Sequence, residues 1–375
     1  MKIIGYEAIC NLGNNLDDIY QNAIIANNSC FESLEGYLPQ KLMRAGVIKT
    51  DLETVENENF NLRCNRLLQK NVKLLQKNID SLFEKYQRDR VAVVAATTNS
   101  GVEEFEKSDN QRHSELGNPA LFLMRLLNLT GFYTTVSTAC SSGIKAFSTA
   151  RDLLRNNICD AVIVACVDTL AKVPIFGFES LEVLSANPSS PFGKDREGMN
   201  MGEASAVFIV EKDGIGIDVM GIGESSDIYH STTPDPEAEA AIKAINEALQ
   251  EANLNPCDID YINAHGTGTV ANDIMEAKAI FQIFKNTVPV SSTKSLTGHC
   301  LGAAAGIETA LCCKLLDNFD GRLYPHIFNG VYDETLFPIR LVQKDEKYDK
   351  CKICMCNSFG FGGTNAIMIL GKNDE

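Results

Sequence analysis

The chain has 375 residues, 45% of them hydrophobic, enough for a sizeable core in two domains or one duplicated domain. Acidic residues outnumber basic ones, 49 to 34, giving a formal charge of −15 that argues against nucleic acid as a partner. The 13 cysteines show no regular framework spacing and fit a reducing cytoplasm better than a secreted disulfide scaffold, and no apolar run is long enough for a signal peptide or a membrane span.

Residues 62–83 are the first informative segment. Arg63, Arg66, Lys70, Lys73 and Lys77 step by three and four, so one helix gathers them on one face. Val72, Leu75, Ile79, Leu82 and Phe83 fall opposite and face the core. Such stripes are usually solvated faces, but five positives without an interleaved acid suit docking of an acidic partner. RVAVVAATTNSG (90–101) then reads as a buried strand leaving into a loop.

VSTACSSGIKA (136–146) places Cys140 among small residues at a strand-to-helix junction. Ile144, Phe147, Ala150 and Leu153 continue at helical spacing. The junction offers unpaired amides and the positive end of a helix dipole, both of which favour the nucleophilic thiolate. On this stretch alone, a nucleophile and a buried structural cysteine stand level. DAVIVACVD (160–168) and SAVFIVEK (205–212) read as further strands, and the turn-rich KDGIGID (212–218) sets a boundary between residues 1–214 and 215–375.

The second half opens with the strand IDVMGIGESS (217–226) and an amphipathic helix over 237–254. The strands DYINAH (260–265), VPVSST (288–293), KICMC (352–356) and AIMIL (366–370) follow. Strand–helix alternation with continuously apolar strands implies mainly parallel sheets buried on both faces. STACSSGIKAFSTARDLL (137–154) and TGHCLGAAAGIETALCCKLL (297–316) share a layout, one in each half, consistent with a duplication or with two similar helix starts.

His265 and His299 each sit in a turn rich in Gly, Thr or Ser beyond a strand, where ligand sites of parallel α/β folds lie. Lys294 stands between the SST strand end and the His299 turn, placed to orient a histidine or bias its charge. His113 and His326 read as a solvated loop residue and a structural one, and His230 as a residue of the pocket rim. In NSFGFGGTNA (357–366), three glycines and two phenylalanines suggest a hinged loop carrying an aromatic gate; a plain hairpin turn is the alternative. Along the strand, Cys354 and Cys356 should share a face with Cys351 on the other, which disfavours a zinc site.

TACSSG, NAHGTGTVAND, STKSLTGHCLGAAAGIE and NSFGFGGTNA, in this order and at these separations, resemble the elongating β-ketoacyl-[acyl-carrier-protein] synthases of the thiolase superfamily. RCNRLLQKNVKLLQ (63–76) is similar to a helix of that family. DTLAKVPIFGFESLEVLS (168–185) is similar to a segment of elongating synthases, including those of aryl-polyene pathways. The resemblance implies an α/β fold of five layers, αβαβα, from duplicated halves. It implies decarboxylative Claisen condensation of an acyl chain with malonyl-carrier protein, in fatty acid, polyene or polyketide-like biosynthesis. Cys140 would carry the acyl chain, His265 and His299 would handle the malonyl group, and Lys294 would support them beside Glu308. Thr267 and Thr269 would hold the phosphopantetheine arm, Phe359 and Phe361 would gate the pocket, and the amides of Cys140 and Phe361 would form an oxyanion hole. No cofactor is implied beyond the carrier's own arm. The implied partners are an acyl carrier protein and a second subunit, identical or paralogous.

There are departures. Residues 1–60 match the family poorly, Gly193 replaces the usual aspartate, Ala204 the usual glycine, and VACVD (164–168) lacks the usual paired glycines. Three rivals remain. A chain-length-factor-type partner subunit with little activity of its own would share the fold, but such subunits typically lack the nucleophile. A cysteine hydrolase needs only one histidine. A degradative thiolase would place a second cysteine in the C-terminal glycine loop.

Overall fold

The computed structural model describes residues 1–372. The first half supplies β1 (Lys2–Cys10), β2 (Phe31–Leu38), β3 (Lys41–Gly46), β4 (Val91–Ala96), β5 (Tyr133–Val136), β6 (Ala161–Asp168), β7 (Met201–Gly202) and β8 (Ala204–Glu211). The second supplies β9 (Ile217–Ser226), β10 (Tyr261–Asn263), β11 (Pro289–Ser291), β12 (Arg340–Leu341), β13 (Ile353–Gly360) and β14 (Thr364–Gly371).

The two halves repeat one topology. In the first, β5, β4 and β6 run parallel, β8 is antiparallel to β6, and β1 is antiparallel to β8. In the second, β11, β10 and β13 run parallel, β14 is antiparallel to β13, and β9 is antiparallel to β14. The halves join where Lys2 and Ile3 of β1 pair with Asp218 and Ile217 of β9. A separate small sheet, β2-β3-β7, lies outside the repeat.

Side-chain alternation builds the layers. On β4, Ala92, Val94 and Ala96 face a central core that contains Ile144 and Phe147 of the helix Ser142–Arg155 and Leu311 and Leu315 of the helix Ala304–Asn318. Val91, Val93 and Ala95 face outward, against Leu67, Leu68 and Val72. The second half mirrors this: Cys354, Cys356, Met368 and Leu370 face the centre, while Met355, Ile367 and Ile369 pack on Ala244, Ile245, Ala248 and Ile280. The result is the five-layer αβαβα arrangement. The helix Ala304–Asn318 is buried almost all round, as its place in the central layer demands.

Several expectations change. Residues 62–83 form two helices, Arg63–Leu74 and Gln76–Lys85, broken at Leu75. The positive stripe is therefore not one continuous face. The glycine loop is only the turn Phe361–Gly363, because β13 and β14 stay paired as far as Gly360 and Thr364. Cys351 precedes β13, so strand alternation does not govern it, and its Sγ lies 3.5 Å from Cys354 Sγ. Residues 1–60, unread from the sequence, hold β1, the helix Leu16–Ile24 and the β2–β3 hairpin.

The two central helices approach closely because each carries a glycine at the contact. A Cβ on Gly143 would lie 2.8 Å from the Gly306 amide, and one on Gly306 would lie 2.4 Å from Cys166 Cβ. Overpacking of this kind typically costs about 1–3 kcal/mol. Gly306→Ala should therefore lower the thermal midpoint. Gly117→Ala, with nothing within 4 Å of the added methyl, should leave it unchanged or slightly raised. Thermal denaturation of the two variants side by side checks this.

Candidate active site

Cys140 lies on a sharp elbow. β5 ends at Val136, and Ala139 takes φ 54° before the helix Ser142–Arg155 begins. That left-handed turn is unfavourable for a residue with a Cβ, and local bonds hold it. The Ser142 amide donates to the Ala139 carbonyl at 3.1 Å, and Ser142 Oγ accepts the Thr138 amide at 2.8 Å. Behind the elbow, Ser358 Oγ on β13 donates to the Cys140 carbonyl at 2.8 Å. The nucleophile's backbone is thus held from the opposite half.

The sulfur differs from the sequence expectation in one respect. Burial pushes the Cys140 thiol up to about 11, against the pull of the Lys294 charge and a hydrogen bond from the Phe361 amide. Desolvation of the anion outweighs the helix terminus. The Phe361 and Cys140 amides both favour the charged sulfur, as two donors meant for an oxyanion on an attached carbonyl would.

The two histidines come from matching places in the second half. His265 follows β10, and its backbone is pinned by Glu276, which accepts the His265 amide at 2.7 Å and the Gly266 amide at 2.6 Å. His299 follows the short helix Lys294–Thr297, and its amide donates to the Asn200 carbonyl at 2.7 Å. Sγ of Cys140 and one ring nitrogen from each histidine all lie within 4.8 Å of one another. The imidazole planes are nearly perpendicular, at 84°, with centroids 5.6 Å apart.

Both rings are neutral. Burial, then the Lys294 charge, depress His299 to about 3; the same two causes and His299 hold His265 well below the ordinary histidine value. The tautomer of His299 follows from its partner: Nδ1 accepts the Leu301 amide at 3.0 Å, so the proton sits on Nε2. Among the described residues, His265 Nδ1 is buried without a hydrogen-bond partner. Lys294 forms a fully buried ion pair with Glu308, with side chains 1% and 2% exposed. Burial raises the Glu308 carboxyl to about 7 even against the pull of the lysine.

Cys140, His265 and His299 line a cavity of about 460 Å³ with Thr267, Thr269, Phe359 and Phe361. Thr267 Oγ1 lies 2.9 Å from Thr269 Oγ1, which presents the hydroxyls as a pair. His265 meets Phe359 edge-on at 5.9 Å. The Phe361 turn is latched to the segment 227–234, with Gly362 N–H donating to Ser231 O and Asp227 N–H to Gly363 O, both at 2.7 Å. A Cβ on Gly363 would sit 1.8 Å from the Asp227 carbonyl oxygen, so only glycine fits. His230 lines the rim as expected, whereas buried His326 is structural, accepting the Ser292 amide and contacting the Pro191 carbonyl.

Four contributors went unread in the sequence. Phe178 packs between Phe361 and His299, at 5.6 and 6.3 Å, and its signal was only one apolar residue in a segment read for substrate. Arg196 lines the cavity while bound to Asp333, and Asp273 binds the Phe192 amide at 2.7 Å. Glu276, eleven residues beyond His265 in an unremarkable helix, gave no signal.

The positive stripe is largely engaged. Arg63 turns inward, its guanidinium bonding Glu203 at 2.9 and 2.8 Å and the Ile48 carbonyl at 2.8 Å, because the acid beside it is buried and needs a counter-charge. Arg63 is thereby corrected from a docking residue to a structural one. Arg66 lies 3.9 Å from Glu104, Lys70 bonds Thr50, and Lys73 pairs with Glu53. Lys77 is exposed.

A duplicated αβαβα fold with a cysteine and two neutral imidazoles meeting in one cavity places the chain among the thiolase-fold proteins. Residues 80–214 match the beta-ketoacyl synthase N-terminal domain and residues 217–325 the C-terminal domain. The chain belongs to the β-ketoacyl synthase family. It is 36% identical over 264 residues to a 3-oxoacyl-[acyl-carrier-protein] synthase 2 of Coxiella burnetii, a match covering 65% of this chain and 63% of that relative. A chain of the solved complex of a ketosynthase with its chain length factor from Xenorhabdus doucetiae is similar at 36% identity and TM-score 0.94, over 99% of this chain and 98% of that one. A beta-ketoacyl synthase from Burkholderia phymatum shares the fold at TM-score 0.88 and 22% identity, over the full length of both.

The depressed His299 value has a measurable consequence. Its folded-state value lies below its unfolded one, so its contribution to stability is present above pH 6.5 and is lost as pH falls toward 3. The stability of the wild type relative to His299→Asn should therefore decline on acidification, on the order of 1 kcal/mol per pH unit. Urea unfolding of both proteins at neutral and mildly acidic pH measures the gap. A gap independent of pH would mean that His299 carries the same charge folded and unfolded.

Proposed function

We propose that this chain is a β-ketoacyl-[acyl-carrier-protein] synthase. It would condense an acyl chain held on Cys140 with malonyl-carrier protein by decarboxylative Claisen chemistry. The observation that carries this reading is the convergence of Cys140, His265 and His299 within 4.8 Å on one cavity. The thiol gives its proton to a neutral imidazole as sulfur attacks the carrier thioester, and the departing pantetheine sulfur takes that proton up. The amides of Cys140 and Phe361 stabilise the tetrahedral oxyanion, for which one donor is typically worth about 3 kcal/mol.

The acyl chain then rests on Cys140 while malonyl-carrier enters, its arm held by Thr267 and Thr269. Loss of carbon dioxide leaves an enolate, whose oxygen accepts N–H donors from His299 Nε2 and His265. Donors of this kind must be neutral, since a charged imidazolium would hold the enolate too stably to attack. The enolate carbon attacks the acyl-Cys140 carbonyl, forming the C–C bond and releasing the cysteine sulfur. Lys294 and Glu308 position this pair of rings, and Phe359 and Phe361 gate the entrance.

Division into an N-terminal half, 1–214, and a C-terminal half, 215–375, belongs to the same proposal. So do the absence of a separate cofactor, acyl carrier protein as partner, with Lys73 and Lys77 the remaining exposed positives of the stripe, and a second subunit, identical or paralogous. The second subunit is supported by β5, an edge strand that exposes Tyr133 beside exposed Phe132. No helix among the described residues is long and apolar enough to cross a membrane, and all 13 cysteines are free, which supports a reducing cytoplasmic setting. A chain-length-factor role is disfavoured by the intact Cys140 and its built oxyanion donors.

Intact mass spectrometry after incubation with acyl-carrier proteins tests the reading. The wild type should gain one acyl group, Cys140→Ala none, and His299→Ala should still load but fail to decarboxylate malonyl-carrier. Lys73→Glu/Lys77→Glu should slow loading from the carrier and leave loading from a small acyl thioester intact. A wild-type chain that never loads, alone or with a paralogous subunit, contradicts the proposal.

A further inference from the structure

Behind the active site, four cysteines that the proposed chemistry does not use form a continuous line of sulfurs. Cys351 Sγ lies 3.5 Å from Cys354 Sγ. Cys354 hydrogen-bonds Cys312, and Cys312 Sγ lies 3.3 Å from Cys356 Sγ. The line begins just beneath the surface, where Cys351, only 4% exposed, borders a pocket of about 190 Å³ with Leu316, Phe319 and Lys372. It ends in the central core, where Cys312 and Cys356 are 0% and 1% exposed.

The two inner thiols sit on elements that carry the active site. Cys312 is one helical turn after Glu308, the partner of Lys294. Cys356 directly precedes Asn357, which donates to Glu276 at 3.1 Å, and Ser358, which holds the Cys140 carbonyl. Burial alone would raise Cys312, but hydrogen bonds from Cys354, Cys356 and Asn263 pull it below the ordinary thiol value, while Cys354 and Cys356 are raised. Of the linked thiols, Cys312 is the one best prepared to attack a neighbouring sulfur.

We infer that Cys351, Cys354, Cys312 and Cys356 form a thiol–disulfide relay that carries oxidation by a small disulfide from the surface to a buried Cys312–Cys356 bond. Cys351 attacks one sulfur of the oxidant; the oxidant's S–S bond breaks, a mixed disulfide forms on Cys351, and the first small thiol leaves with the Cys351 proton. Cys354 attacks Cys351 Sγ and expels the second small thiol. Cys312 then attacks Cys354 Sγ and frees Cys351, and Cys356 attacks Cys312 Sγ and frees Cys354. The net change oxidises two protein thiols to one disulfide and reduces the oxidant to two thiols. The inner sulfurs close from 3.3 Å to about 2 Å, stapling the helix Ala304–Asn318 to β13. The relay does not depend on the proposed condensation chemistry.

Oxidised glutathione is the probe, applied to the full chain carrying Cys140→Ala so that the active-site thiol takes no part. Exposed Cys257 serves as an internal control for reagent activity. Differential alkylation and peptide mass mapping should show a Cys312–Cys356 crosslink with Cys351 and Cys354 returned to thiols. Adding Cys354→Ser should trap glutathione on Cys351 and leave the inner pair reduced. Adding Cys351→Ser or Cys351→Ala should slow the inner crosslink about tenfold or more, with melting curves confirming that each variant is folded. Full alkylation of Cys312 and Cys356 after unfolding the treated protein would overturn the relay. So would an inner crosslink that forms at the same rate without Cys351.

Discussion

Cys140, His265, His299, Lys294 and Glu308 share one dry volume, and the cost of placing charge in it governs the site. Desolvation keeps both imidazoles neutral, raises the thiol, and lifts Glu308 toward neutrality even beside a lysine. The charged pair in that volume, Lys294 with Glu308, is sealed from solvent. Removing one partner of such a pair strands a buried charge, typically at about 3–5 kcal/mol. The lysine charge in turn holds the two histidines unprotonated. Donors that are neutral yet aimed suit the enolate of the proposed condensation, which must be held and then released.

The fold delivers that volume by bringing matching parts of two halves together. Cys140 leaves the end of β5, and His265 leaves the end of β10, both beyond the C-terminal ends of parallel strands. Small residues at the central helix contact, Gly143 against Gly306, let the halves close until the sulfur and the rings are neighbours. The turn Phe361–Gly363 then covers the cavity from one strand pair, latched by backbone hydrogen bonds to the 227–234 segment.

Much of this was legible in the sequence because the signals were local. Strands such as 161–168 and 217–226 are uninterrupted apolar or β-rich runs bounded by turn residues, and the structure places them within a residue of the reading. Cys140, His265, His299 and Lys294 each sit in a Gly/Ser/Thr-rich strand-end segment, so their neighbourhood announced them. What was not legible depends on burial and distant contacts. The raised Cys140 value comes from the half that folds over it. The inward turn of Arg63 depends on Glu203, 140 residues away. Glu276 and Phe178 lie in the helices Val270–Phe284 and Lys172–Ser180, which no motif marks in the sequence, and the break at Leu75 has no proline or glycine to mark it.

The neutrality of the paired imidazoles is the central claim, and nitrogen-15 NMR of the histidine rings in the full chain carrying Cys140→Ala tests it most directly. The account predicts that His265 and His299 stay uncharged from about pH 8 down to about pH 5, with the His299 proton on Nε2. If either buried ring takes up a second proton near pH 6.5, the dry-site account is contradicted.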